Sequence, residues 1–176
     1  MLPLLRIRRS IRKFTKQKIE HSIMDILCEA LLRSQSSRNI KPWHFILIDD
    51  KTQLKHLAAA KKHGSAFLKD AAAAFVIVAD NSKSDVWIED CSIAAMQLQL
   101  TADSLGLGSC WIQIRNRMAT ETITSEDYVK DHLEIPENHS VLAIIALGHP
   151  AETPAPHPQD SLDYSKISRG RFFIGD

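Results

Sequence analysis

Residues 8–13 read Arg-Arg-Ser-Ile-Arg-Lys. A serine hydroxyl flanked by guanidiniums offers forked, charge-assisted donors that match the oxygens of a phosphate. The surrounding segment is basic throughout, with Arg6, Arg8, Arg9, Arg12, Lys13, Lys16 and Lys18 ahead of the first acid, Glu20. Such a cluster serves a small phosphate ligand, a nucleic acid, an anionic membrane or plain solvation. A mitochondrial transit segment would also be acid-poor, but Ser-rich. Here Ser10 stands nearly alone and Phe14 leads straight into patterned sequence.

Other chemistry-bearing patterns fail on their spacing. Ser10-Ile11-Arg12-Lys13 matches the S-x-x-K of serine acylases, but no Lys-Thr-Gly accompanies it. Gly106-Leu107-Gly108 lacks the third glycine of a dinucleotide fingerprint and comes after a helical pattern instead of a strand. No G-x-S-x-G is present, and the eight histidines show neither H-E-x-x-H nor Cys/His metal-ligand spacing. Glu89 and Asp90 open a helical stretch, where acids favour the positive end of the helix dipole. No self-sufficient catalytic set emerges and no metal site is expected, so any enzymatic chemistry here falls to a cofactor.

The elements that must hold these residues come from hydrophobic periodicity. Ile19, Ile23, Leu27 and Leu31 predict an amphipathic helix over 19–33, ended by the polar run Ser34–Asn39 and Pro42. Short apolar, β-branched runs predict buried strands at 44–49, 74–79, 109–114 and 141–147. Asp50 is placed to cap a helix carrying Leu54, Leu57 and Ala58, and a further helix covers 125–133. The longest periodic stretch, 87–105, has Ile88, Cys91, Ala94, Leu98, Ala102 and Leu105 on one stripe, the small-residue face of a central helix. Pro150, Pro154, Pro156 and Pro158 make the C-terminal segment an extended arm. Helices alternating with single strands argue a sheet with helices packed on it.

At 176 residues the chain is of single-domain size, with 44% hydrophobic and 24% charged residues, ordinary for a globular protein. Its net charge of +1 hides an asymmetry, because without the seven basic residues before Glu20 the rest carries −6. No apolar run reaches the ~20 residues that cross a bilayer. Cys28, Cys91 and Cys110 are odd in number and form no C-x-x-C, which points to a reducing, cytoplasmic setting.

Several separated segments resemble one family. Arg8-Arg9-Ser10-Ile11-Arg12-Lys13-Phe14 resembles the R-R-S-x-R-x-F opening of the nitroreductase family of flavin mononucleotide (FMN) enzymes. Ser36-Ser37-Arg38-Asn39-x-x-Pro42-Trp43-x-Phe45 is similar to its S-S-x-N-x-Q-P-W-x-F segment, and Ala102-x-x-Leu105-Gly106-Leu107-Gly108-Ser109-Cys110-Trp111 to its glycine turn. Leu133-x-Ile135-Pro136-Glu137 and Ala146-Leu147-Gly148-x-Pro150-Ala151 complete the order, so the resemblance runs from about residue 6 to about 151. It implies an α+β fold, a sheet sandwiched between helices, in an intertwined homodimer that binds FMN at its interface. Residues 1–150 would form the FMN-binding domain, and 151–176 an arm packing on the dimer partner.

The same resemblance assigns roles. Arg8 and Ser10 hold the FMN phosphate, Arg9 helps nearby, and Arg12 reaches the ribityl chain and pyrimidine edge. Ser36, Ser37 and Asn39 contact the FMN of the partner subunit, and Gln113 and Ile114 bring backbone groups beside the reactive flavin nitrogen. Lys41, Gln35 and Ile114 stand where the family commonly has Gln, Pro and Gly. A side chain at 114 either narrows the flavin face or demands a different local backbone. The family's flavin-touching amide falls near His63-Gly64-Ser65, and its basic arm residue falls at Gln159, leaving Arg169 or Arg171 as replacement phosphate partners or as solvated tail. The implied activity is ping-pong transfer of electrons from NADH or NADPH to a nitroaromatic, quinone or similar small acceptor. Flavin breakdown or reductive dehalogenation on the same fold is the alternative. A nucleic-acid-binding module is a third reading, weakened because no aromatics interleave the basic residues 6–13.

Overall fold

The computed structural model describes residues 1–172. Its elements are α1 (Leu2–Ile7), α2 (His21–Leu32), β1 (Trp43–Ile48), α3 (Lys51–Leu57), β2 (Ala73–Asp80), α4 (Trp87–Ser104), β3 (Gly108–Gln113), α5 (Ser125–Leu133) and β4 (His139–Gly148). Asp50 caps α3 by accepting from the Gln53 N–H, and Thr124 caps α5 by accepting from the Asp127 N–H. Both caps satisfy a backbone donor that the first helical turn leaves unpaired.

The four strands form one antiparallel sheet in the order β1-β2-β4-β3. Phe75, Ile77, Ala143 and Ile145 face α2 and α4 on one side. Val76, Val78, Ile144 and Ala146 pack on the other side with residues of α3, α5 and the 3-10 turn Ala66–Asp70. The fold is therefore α+β, with the sheet held between helical layers. Both faces being covered explains why β2 and β4 read as unbroken apolar runs and not as alternating patterns. Among the described residues no helix is long and apolar enough to cross a membrane.

The basic segment is stitched to the open end of the sheet. Ser10 bridges Ser109 in parallel, with the Ile11 N–H donating to the Ser109 carbonyl at 2.9 Å. Beyond it the Thr15 N–H donates to the His149 carbonyl at 2.9 Å, and the Ala151 N–H to the Lys13 carbonyl at 2.8 Å. This close approach explains two glycines. A Cβ on Gly108 would lie 2.8 Å from Cβ, Cγ1 and Cγ2 of Ile11, and one on Gly148 would lie 2.8 Å from Phe14 Cδ1 and 3.2 Å from the Ala72 nitrogen. Gly148→Ala is expected to lower stability by about 1–3 kcal/mol, the usual cost of overpacking a filled interior. Denaturant unfolding measures this, and a midpoint equal to wild type would show that the segment yields freely.

Beyond Pro154 the arm runs along the surface beside α1, where Pro156, Leu162 and Tyr164 line one cavity with Leu2, Leu5 and Ile7. Residues 155–172 are all exposed, including Leu162, Tyr164, Ile167 and Phe172, the last 86% exposed.

Candidate cofactor site

At the glycine-turn end of β3 the structure brings Arg8, Arg9, Ser10 and Arg12 together with groups that no sequence motif marks. Glu152 is the first. One carboxylate oxygen accepts the Arg12 N–H at 2.6 Å and the Lys13 N–H at 3.0 Å. Those bonds, with the charges of Lys13 and Arg12, hold the Glu152 carboxyl below the usual carboxylate range against its partial burial. The backbone of the cluster is thus tied from both sides, by Ser109 and by Glu152. Arg9 donates to the Ala155 carbonyl of the arm. Arg8 and Arg12, by contrast, make no side-chain hydrogen bond or ion pair among the described residues.

Cys110 lies against this cluster. Burial pushes its thiol up; Arg12, a hydrogen bond with Ser10 and the Arg8 charge pull it back, and Glu152 adds to the rise. Asp103, in the last turn of α4, is the second such group. Its Oδ2 is buried with no hydrogen-bond partner, and burial pushes its carboxyl up to about 6 against the opposing charge of Arg8. A carboxyl whose folded pKa exceeds its unfolded value of 3.8 binds more protons folded than unfolded between those two values. Stability contributed there is present at low pH and lost as pH rises toward about 6. Asp103→Asn is therefore expected to raise Tm of the cofactor-free protein at pH 8 and to give no gain at pH 3. Thermal melts across that range check it, and a pH-independent difference would show that Asp103 does not titrate as described.

Ser36, Ser37 and Asn39 form a separate group. Their loop passes through positive φ at Arg38, Asn39 and Lys41 (52°, 56° and 53°). Ser36 Oγ accepts the Lys41 N–H at 3.0 Å, and Arg38 pairs with Asp85. Asp90, 3% exposed, accepts the Ser37 N–H at 2.8 Å and the Ser84 hydroxyl at 3.4 Å. Glu89 and Asp90 both lie in the first turn of α4, as expected; the N-cap itself is Val86, without a side-chain cap bond, and Asp90 in addition turns inward to fasten the loop. A buried acid next to the apolar stripe of α4 was the available signal.

The two groups sit at opposite ends of α4. Asp90 holds the Ser37 loop near its start, and Asp103 faces Arg8 near its finish. At 1.5 Å per residue roughly 20 Å of helix separates them. One chain does not bring them to a common point.

Gln113 and Ile114 differ in what they offer. β3 is an edge strand, and its backbone groups alternate in direction. The Ser109 carbonyl points outward to Ile11, so Trp111 and Gln113 share that open edge, whereas the Ile114 N–H donates inward to the Leu142 carbonyl at 3.3 Å. The Ile114 side chain is wholly buried with Ile112 and Val129, so it narrows no open face. The Gln113 amide accepts from Trp111 Nε1 and donates to the Arg115 carbonyl, both at 2.9 Å. Ser65, at the expected flavin-touching position, is buried and donates its hydroxyl to the Ala58 carbonyl at 2.8 Å. Arg169 and Arg171 are exposed in the tail, and no described contact joins either to Arg8 or Ser10.

Comparison with known proteins places this arrangement. The model of the nitroreductase family matches residues 5–66 and 51–149. An FMN-dependent nitroreductase from Clostridium difficile R20291 is 43% identical, superposes with a TM-score of 0.96, and is covered over 100% of its chain by 98% of this one. A protein of Methanothermobacter thermautotrophicus named as an NADH dehydrogenase/NAD(P)H nitroreductase is 32% identical over 173 residues, spanning 95% of this chain and 85% of its own. A like-named protein from Bacteroides thetaiotaomicron is 27% identical with a TM-score of 0.88, each chain covered over 97%. With its sequence matched nearly end to end and its sheet, helices and basic segment in the corresponding order, the chain belongs to the nitroreductase family.

Proposed function

We propose that this protein is an FMN-dependent oxidoreductase that passes electrons from NADH or NADPH to a small acceptor such as a nitroaromatic or quinone, by a ping-pong mechanism. One observation carries the reading: Arg8 and Arg12 project from a backbone locked by Ser109 and Glu152, yet neither guanidinium makes a hydrogen bond or ion pair among the described residues. Fixed, unpartnered donors of that type fit a terminal phosphate and the polar edge of a flavin. The buried, unpaired oxygen of Asp103 beside Arg8 adds to the fit, because it can orient that guanidinium. FMN, when bound, supplies the hydride-accepting and electron-donating chemistry.

The chain's own residues would bind and orient. Arg8 and Ser10 take the phosphate, and Arg9 braces the arm through Ala155. Arg12 brings positive charge to the ribityl and pyrimidine side. Gln113 faces the open edge of β3, where its backbone groups are free of β4. Ser36, Ser37 and Asn39 serve the FMN of a partner subunit, because α4 holds them far from Arg8 of their own chain. A homodimer is also supported by Ile93 and Met96, exposed on α4, and by the uncovered apolar residues of the arm, among them Leu162 and Phe172. Arg169 and Arg171, exposed in the tail, are replacement phosphate partners from this chain or from such a partner.

The purified protein should be yellow, with about one FMN per subunit, and FAD should bind more weakly because its phosphate is not terminal. A colourless protein that gains no flavin absorbance on titration with FMN would sink the proposal. Parallel double-reciprocal plots for nicotinamide nucleotide and acceptor test the ping-pong order.

A further inference from the structure

The amide of Gln113 is held more firmly than a partly buried side chain on an edge strand requires. Trp111 and Gln113 stand two residues apart, the spacing that puts both side chains on one face of β3. The Trp111 ring packs on the core that the sheet shares with α2 and α4. Its indole N–H can only donate, so Gln113 Oε1 is the atom that meets it, and Gln113 Nε2 is turned to the Arg115 carbonyl. Both bonds are 2.9 Å long. A residue anchored in the core thus dictates which way round the amide stands.

The tied amide spans the place where β3 stops being regular. The Ile114 and Arg115 N–H groups both donate to the one Leu142 carbonyl, at 3.3 and 3.1 Å, and Asn116 then turns through a φ of 58°. Such an irregularity re-aims a strand. An edge strand is bonded on one side only, so its end frays unless something besides the ladder holds it. On the open side the main-chain N–H and carbonyl of Gln113 have no partner among the described residues. From Ser109, which bonds the basic segment, that open edge runs roughly 13 Å to Gln113 at ~3.3 Å per residue. Resting on the FMN reading above, we propose that Trp111 is a positioning residue for the flavin. Its indole locks the Gln113 amide, the amide locks the bend after Gln113, and the bend fixes the outward Gln113 N–H against the ring of an FMN whose phosphate lies at Arg8 and Ser10.

Two variants test this. Trp111→Phe keeps an aromatic ring in the core and removes the N–H, and Gln113→Met keeps the length of the side chain and removes both bonds. The FMN affinity of the apoprotein, the visible absorption band of the bound flavin, and amide exchange at Ile114 and Arg115 are measured in each and in the double variant. Each single variant should weaken FMN binding about fivefold, the loss of one neutral hydrogen bond, and shift the flavin band toward that of free FMN. Exchange at Ile114 and Arg115 should quicken in the cofactor-free protein as well. The double variant should bind FMN no worse than either parent, because Trp111 acts through Gln113. Unchanged affinity and band in both single variants overturn the proposal. Losses that add in the double variant overturn it too, since Trp111 would then act by packing alone. If the wild-type protein binds no FMN, the oxidoreductase reading fails and the flavin role of Trp111 falls with it, whereas the exchange rates still report whether the tie holds the strand end.

Discussion

Arg8→Ala is expected to weaken FMN binding by about 2–5 kcal/mol, the usual cost of removing one partner from a desolvated, hydrogen-bonded charge pair. The backbone around Arg8 is held by its own helix turn and by the Ile11–Ser109 bond, so truncation removes the donor without releasing the segment. It also leaves Asp103 without its nearby cation, and the unpaired buried oxygen there gains no new partner. Arg8→Lys should recover only part of the affinity, because an ammonium lacks the two-pronged geometry that matches a phosphate. Arg12→Ala has a different signature. Removing a cation from beside the flavin lowers its reduction potential, since the reduced ring carries more negative charge. Its backbone N–H stays on Glu152, so FMN affinity falls less than in Arg8→Ala. Fluorescence titration of the apoprotein and a redox titration of the loaded protein measure both effects. Wild-type affinity and potential in both variants would mean that the cluster is solvated surface.

The sequence disclosed the sheet and its two helical layers because burial on both faces demands unbroken apolar runs. Residues 74–79 and 141–147 therefore announced β2 and β4 almost to the residue. The small-residue stripe of α4 likewise reflects its packing against α2 and the sheet, with Cys91, Ala94, Ala95 and Ala102 fully buried. Helix α1 escaped notice, since six residues are too few to show a period and its arginine blended into the basic run. The members of the site that a motif can express, Arg8, Ser10 and Arg12, were legible as a local pattern of donor types. Glu152 and Asp103 were not, because each acts through a neighbour distant in sequence. Glu152 meets Arg12 only once the start of the arm has paired with residues 13–15. Even so, it is the sole acid between Glu137 and Asp160, a weak clue beside so basic a segment. Ile114 shows the converse. A flavin-facing glycine was the family expectation, whereas the bulky side chain fills the core and its N–H serves the sheet.

Mixing two inactive variants should restore roughly a quarter of wild-type activity. Take one chain with Arg12→Glu and another with Asn39→Asp, unfold them together and refold. If Arg12 and Asn39 of different subunits share a site, a mixed dimer has one site with both lesions and one with neither. Random pairing makes about half of the dimers mixed, and half of their sites are clean. The length of α4 is the reason to expect this division. Ser37 is bound to Asp90 at one end of the helix and Arg8 faces Asp103 at the other, so roughly 20 Å of rigid backbone keeps the two groups apart within a chain. A two-fold axis in the proposed dimer would overcome that distance if it set the start of one chain's α4 near the finish of its partner's. Glu and Asp are chosen because each puts negative charge where a donor to the flavin or its phosphate is expected, so both parents start near zero. Were each site built within one chain, every site in a mixed dimer would keep one lesion and activity would stay at the parental average. That result, with the mixed dimer shown to form by native mass spectrometry, would overturn the shared site and require Ser36, Ser37 and Asn39 to serve another purpose.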